Sequence, residues 1–161
     1  MATPTTQGSD APTTGTSPGA ATVAGAVHRV RIPLRISDFV GMHVNNVRFQ
    51  EFSQDARLMW FREKFGVPGS RVPSALARWM EIDFRRTIAM GVPEVWVDVQ
   101  VVRVGRTSFT MRTLIGSEST GSEPCAVVDT VMVVTAADET TTLEITPEER
   151  AALLGDREEA G

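Results

Sequence analysis

Between residues 28 and 36 the chain alternates, with His28, Val30, Ile32, Leu34 and Ile36 on one side of an extended strand and Arg29, Arg31 and Arg35 on the other. This predicts a half-buried strand, and Pro33, which cannot donate to a ladder, favours an edge or a bulge. From Asn45 to Gly66 the period changes. Phe49, Phe52, Ala56, Met59 and Trp60 recur at spacings of three and four, which predicts a long amphipathic helix stopped by Gly66. Arg48, Glu51, Asp55 and Arg62 form a polar stripe elsewhere on that helix. Residues 77–86, 94–104, 107–115 and 125–136 are rich in Val, Thr, Phe and Trp and read as four more strands. Their short connections favour antiparallel pairing. Near the end, Thr146 as N-cap, Pro147 at the first helical position, Glu149 closing a capping box and Gly155 as stop predict a short helix.

One long helix for roughly five strands has to cover a single antiparallel sheet, and a sheet of that size curls around what it covers. The expected fold class is therefore α+β with the layout of the hotdog fold, a long central helix wrapped by a curled antiparallel sheet of about five strands. With 161 residues, 42% of them hydrophobic and 22% charged, the chain suits one globular domain with a true core. That domain is expected over residues 27–155. Residues 1–26 are Thr, Pro, Gly, Ala and Ser with one charge at Asp10, a composition expected to form a disordered tail, and residues 156–161 are expected to be a flexible C-terminus.

Charge and rare residues narrow the chemistry. A formal charge of -4 argues against general nucleic-acid binding, which needs a basic field. Tyrosine is absent, so no phenolic acid or base is available. Cys125 is the single cysteine and there are two histidines, so neither an internal disulfide nor a recognisable zinc set is expected. Cys125 follows Pro124 with no histidine near it in sequence, which makes it a poor nucleophile. A reducing compartment fits. The N-terminus has no signal-peptide pattern and no apolar run reaches bilayer length, so the expectation is a cytoplasmic protein without a membrane partner.

The junction between the first strand and the helix carries the chemical signal. "SDFVGMHVNNVRFQEFSQDARLMWF", residues 37–61, resembles the acyl-CoA thioesterases of the 4-hydroxybenzoyl-CoA thioesterase type. Their pattern runs Asp, two residues, Gly-His-Val-Asn-Asn, then an aromatic residue and an acidic-Ala-Arg stretch inside the helix. His43, Val44, Asn45, Asn46, Phe49, Asp55, Ala56 and Arg57 fall in register with it. "WMEIDFRRTIAMG", "VQVVRVGRTSF" and "VVDTVMVV" resemble that family's later strands, so the likeness covers about residues 28–155. One departure stands out: Met42 intervenes between Gly41 and His43. If the loop carries one extra residue, Asp38 is the catalytic acid. If Ser37 and Asp38 instead match the first acid of a Ser-Asp-x-Asp form, the catalytic slot falls on Val40, which leaves either an inactive protein or a role for Glu51 or Asp55.

The resemblance implies hydrolysis of an acyl-CoA or acyl-carrier-protein thioester to a free acid and a thiol. Such a reaction needs a nucleophile or base beside the carbonyl carbon and donors aimed at the oxygen that becomes negative. A helix N-terminus supplies donors from its free N–H groups. By the resemblance, the Asn46 backbone N–H polarises the carbonyl, Asp38 attacks or activates water, and His43 orients the acid or the substrate. Gly41, Asn45 and Phe49 are assigned to substrate binding. On propensity alone Asn45 or Asn46 is also the helix N-cap, Asp38 a turn residue, His43 a hydrogen-bonded structural histidine, and Glu51 with Asp55 a solvated face. Arg103, Arg106 and Ser108 are expected to meet the phosphates of the coenzyme A moiety, or else to be solvent-facing positions of a plain hairpin. No metal or redox cofactor is implied, and coenzyme A enters only as part of the substrate. A homodimer or homotetramer with sites at the dimer interface is expected. The other functional readings are a non-hydrolytic acyl-thioester binding protein and a hotdog hydratase or dehydratase.

Overall fold

The computed structural model describes residues 25–66 and 74–155. Its elements are β1 (His28–Pro33), a 3₁₀ turn (Ile36–Asp38), β2 (Phe39–Val40), β3 (His43–Val44), α1 (Asn46–Phe65), β4 (Ser74–Phe84), β5 (Glu94–Val104), β6 (Ser108–Gly116), a 3₁₀ turn (Glu118–Thr120), β7 (Ala126–Thr135) and α2 (Pro147–Leu154). Five strands form one antiparallel sheet in the order β1-β5-β6-β7-β4, and β2 pairs with β3 in a separate two-stranded ribbon. Because α1 joins β1 at one edge to β4 at the other, the helix has to cross one face of the sheet. The expected hotdog layout is present. Of the tail expected over residues 1–26, residues 1–24 lie outside the described residues, as does the expected C-terminus at 156–161, whereas Gly25 is buried and its N–H donates to Val101 O at 3.0 Å.

The alternation that identified the strands also sets the core. Val95, Val97, Val99 and Val101 of β5, Met111 and Ile115 of β6, and Val128 and Val134 of β7 point to the helix side, where Phe49, Phe52, Ala56 and Trp60 of α1 pack on them. Fully burying each of the larger aliphatic and aromatic groups contributes about 1.5–3 kcal/mol, which makes this interface the main source of stability. The outer face of the sheet carries charges instead, in rows such as the bidentate pairs Arg29–Asp98 and Arg112–Asp129. Trp96 lies on that face too. It is buried against Gly116, where a Cβ would stand 2.1 Å from the indole, so only glycine fits.

Two expectations about single residues are corrected. Strand β1 ends at Pro33, and Ile36, expected on its buried side, sits in the following 3₁₀ turn and is 91% exposed. Proline ends the ladder there, so the alternation beyond it has no sheet to act on. Met59, expected on the apolar face of α1, is exposed, because that face is filled by Phe52, Ala56 and Trp60. The short final helix forms as expected, with Thr146 and Glu149 in a reciprocal capping box and Gly155 at a left-handed C-cap. No helix among the described residues is long and apolar enough to cross a membrane.

Candidate active site

The junction before α1 is a tight hairpin. Val40 pairs with His43 across a two-residue turn made by Gly41 and Met42. Gly41 has φ +61, the glycine-first geometry that joins two strands without splaying them. Met42, the departure from the family pattern, is thus the second tip residue of this turn. The hairpin is stitched to residues 88–90: Val44 N–H donates to Ile88 O at 2.9 Å, Met90 N–H to Met42 O at 2.8 Å, and His43 bridges Ala89.

The hairpin delivers the chain to the helix start in a fixed state. Asn45 is the N-cap, and its Oδ1 accepts from Val47 N–H at 3.1 Å while its own N–H donates to Asp38 O at 2.8 Å. Arg48 N–H donates to Asn45 O at 2.9 Å. The N–H groups of Asn45, Val47 and Arg48 are therefore occupied, whereas that of Asn46 finds no hydrogen-bond partner among the described residues. Asn46 is exposed and lines a cleft of about 250 Å³ with Val44, Phe49, Phe84, Arg85, Arg86 and Thr87. Phe49 and Phe84 meet edge to face there, with ring centroids 5.5 Å apart. An unpaired donor at the positive end of a helix of twenty residues, on a residue that lines an open cleft, is suited to meet an electron-rich oxygen.

Asp38 ends the 3₁₀ turn before the hairpin and lies beside the helix start. The residue is 2% exposed, Oδ2 accepts from Arg35 N–H at 2.7 Å, and Oδ1 lies 2.9 Å from Arg48 Nε. That ionic contact has poor hydrogen-bond geometry, since Arg48 Nε is buried without a hydrogen-bond partner. Arg48 also pairs with Glu51 and lies over the Phe52 ring at 5.2 Å. Asp38 does not line the Asn46 cleft. His43, Val40, Glu51 and Asp55 are all exposed, His43 and Val40 on the hairpin and the two acids on the helix surface.

The coenzyme-binding positions expected from the sequence lie elsewhere in the chain. Pro33 pairs with Glu94, which places the junction at the start of β5, whereas Arg103, Arg106 and Ser108 belong to the hairpin at its far end. Nine residues of extended strand separate Glu94 from Arg103, about 30 Å. Arg106 pairs with Glu144, and Ser108 O accepts from Gly105 N–H at 2.7 Å. One chain does not bring these three residues to the junction. Sequence reasoning missed Arg85, Arg86 and Thr87 beside Asn46, because they follow β4, and only the packing of Phe84 on Phe49 brings the end of that strand to the helix start. It also missed the surroundings of Arg57, which is buried under α1 with Ser53, Thr113 and Thr130. Arg57 Nη1 donates to Ser53 Oγ at 2.6 Å and to Thr130 Oγ1 at 3.1 Å, and Ser53 Oγ donates to Thr113 Oγ1 at 3.2 Å. Burial pulls the Arg57 guanidinium below its ordinary pKa. Among the described residues no group of three or more His, Cys, Asp or Glu side chains could hold a metal ion.

Comparison with known proteins places this geometry. Residues 34–153 match the family model of the thioesterase-like superfamily. No curated protein sequence matches the chain. Among solved structures, a predicted thioesterase from Bacillus stearothermophilus is 24% identical, aligns over 84% of this chain and 100% of its own, and superposes with a TM-score of 0.69. A thioesterase from Thermus thermophilus complexed with coenzyme A and zinc is 27% identical over 78% of this chain and 95% of its own, with a TM-score of 0.64. A DHNA-CoA thioesterase from Staphylococcus aureus shares 15% identity over 78% of this chain and 87% of its own, at a TM-score of 0.64. With three quarters of its length matched by the family model, the chain belongs to the thioesterase-like superfamily and is a thioester hydrolase.

Proposed function

We propose that the protein hydrolyses acyl thioesters of coenzyme A, or of a pantetheine-bearing carrier protein, with the thioester carbonyl seated on the Asn46 backbone N–H. The observation that carries this reading is that N–H, unpaired at the head of α1 and opening on the cleft between Phe49 and Phe84. Attack on the carbonyl carbon moves the carbonyl electron pair onto oxygen, and a preorganised donor aimed at that oxygen lowers the barrier. Collapse of the adduct expels the thiolate and leaves the acid. The Thermus relative that holds coenzyme A supports this choice of thiol.

Asp38 is the acid of this reading, attacking directly or activating water. It reaches the thioester once Arg48 turns from it toward Glu51, which already holds the other end of that guanidinium. Burial of Asp38 favours a second assignment, in which Asp38 anchors Arg48 and the half-exposed Glu51 serves as the acid. His43 orients the acid or the substrate, and Gly41 and Asn45 fix the approach to the donor.

The active unit is a homodimer, by the following argument. β4 is an edge strand of eleven residues, with Leu76, Trp79 and Phe84 exposed along it and Trp79 at 50%. Long apolar edges pair. Two-fold pairing of β4 with a second β4 is antiparallel, so the β5–β6 hairpin of the second copy, with its Arg103, Arg106 and Ser108, comes to the junction end of the first. This is how residues about 30 Å apart in one chain would serve one coenzyme.

The decisive experiment uses the backbone. Asn46→Pro removes the N–H at the first helical position, where proline is well tolerated, together with the side-chain amide that Asn46→Ala also removes, and the extended φ -63, ψ 134 of Asn45 already suits a residue before proline. Thiol release from acyl-CoA esters should fall by about 10²–10³-fold in Asn46→Pro, while Asn46→Ala, which keeps the N–H, stays within a few-fold of wild type. Equal rates in the two variants would remove Asn46 from the reaction. Asp38→Asn and Glu51→Gln, assayed alongside, separate the two acids.

A further inference from the structure

Arg57 has no role in the reaction as described, and its surroundings are unusual for a charged group. The residue is 5% exposed, and its only hydrogen bonds among the described residues run from Nη1 to two hydroxyls. A guanidinium carries five N–H donors over three nitrogens, and no carboxylate meets it. Ser53, Thr113 and Thr130 are themselves fully buried, so the cation is held within the interior by neutral hydroxyls. A buried cation held only by neutral oxygens is short of an anion.

The position of this group along the helix suggests where the anion comes from. Asn46, Gln50, Ser53 and Arg57 are spaced four, three and four, which puts them on one stripe of α1. Gln50 lines a groove of about 350 Å³ with Ala77, Arg78, Trp79, Met80 and Ile82 of β4. Met80 is the register partner of Thr130, the residue that holds Arg57, so the unbranched Met80 side chain stands beside both groove and guanidinium. Arg57 bonds back to Ser53, so its charged end lies level with that residue, seven positions or about 10 Å along the axis from Asn46.

We propose that Arg57 is a specificity-determining residue that recognises a carboxylate at the far end of the acyl group, so that the preferred substrates are thioesters of medium-length α,ω-dicarboxylic acids. The inference rests on the reading that seats the reacting carbonyl on Asn46. The acyl chain then runs along the α1–β4 groove past Gln50, and its terminal carboxylate displaces Met80 to pair with the two free nitrogens of the guanidinium. A fork of N–H groups matches a carboxylate and leaves a plain methyl end with nothing to offset the buried charge.

The test compares matched esters. Octanoyl-CoA and the mono-CoA thioester of octanedioic acid are assayed with wild type, Arg57→Met and Arg57→Lys. Wild type should favour the dicarboxylic ester in kcat/KM by roughly ten- to a hundredfold, Arg57→Met should lose that ratio, and Arg57→Lys should keep part of it. A wild type that favours octanoyl-CoA or does not discriminate, or an Arg57→Met variant that keeps the preference, overturns the proposal. A second measurement needs neither turnover nor a folded variant. Free octanedioate should raise the Tm of wild type above that reached with the same concentration of octanoate, and equal shifts reject the carboxylate site. Hydrolysis of neither ester together with a selective octanedioate shift would fault the seating of the carbonyl on Asn46 and leave the Arg57 site standing.

Discussion

Helix α1 carries two arginines nine residues apart whose surroundings are opposites. Arg48, in the first turns, lies between two carboxylates, Asp38 and Glu51, and retains 26% side-chain exposure. Arg57, near the middle, is buried, and among the described residues its side-chain hydrogen bonds go to hydroxyls. In the first case the cation ties separate pieces together, because Asp38 belongs to the turn that precedes the hairpin and Arg48 to the helix that follows it. In the second, the elements it touches already pack through Phe52, Ala56 and Met111, and the charge adds desolvation without an opposite partner. The difference separates a charge that serves the fold from one whose place the fold alone does not explain.

That contrast predicts opposite signs on stability. Arg48→Met leaves Asp38 buried with one backbone donor and should cost about 2–3 kcal/mol, somewhat less than a fully buried pair because Arg48 is partly exposed. Urea unfolding at unchanged m-value would report it. Arg57→Met puts an uncharged side chain beside Ser53 and Thr113, which still bond each other, and removes the donor to Thr130, so stability should be unchanged or rise by up to about 2 kcal/mol. A loss as large as that in Arg48→Met would mean that Arg57 is structural after all. Thr130→Val removes one of the two acceptors of Arg57 and should lower stability by about 1 kcal/mol in wild type but not in an Arg57→Met background.

Neither arginine could be sorted this way from the sequence, although most of the fold could. Periodicity works for Phe49, Phe52, Ala56 and Trp60, and for the alternating valines of β5, because each such run buries one face over many residues and the pattern repeats. The same reasoning identified the capping box at Thr146 and Glu149, where the chemistry is local. It failed where partners are few or distant. The ribbon of β2 and β3 has two residues per strand, too short for any period, yet it fixes where α1 begins. Arg57 sits beside the exposed Leu58 and one turn below the exposed Gln54, so its burial depends on Thr113 and Thr130 of two later strands. Asn46 was legible as the helix start, but the freedom of its N–H became visible only once Asn45 had claimed Val47 and Arg48. Motif order gives the positions of Arg103 and Arg106 along the chain, while the pairing of Pro33 with Glu94 reveals that within one chain they lie at the far end of β5 from the junction.

The smallest effect sharpens the comparison from the side of Arg48. Glu51 is half exposed and one turn from Arg48 on the same helix, so as a stabilising ion pair it contributes little, and Glu51→Gln should change stability by less than about 0.5 kcal/mol. Its effect on turnover is the informative one. If Arg48 has to leave Asp38 for the acid to act, Glu51 is what receives it, and Glu51→Gln should slow hydrolysis several-fold at unchanged KM while leaving the Tm alone. The slowing should vanish in an Arg48→Met background, where there is no guanidinium to receive, since two groups acting on one event do not add. If Glu51 is itself the acid, its removal should cost about a hundredfold or more in either background. Rates in the four proteins of this cycle therefore distinguish a residue that draws the cation away from one that meets the thioester.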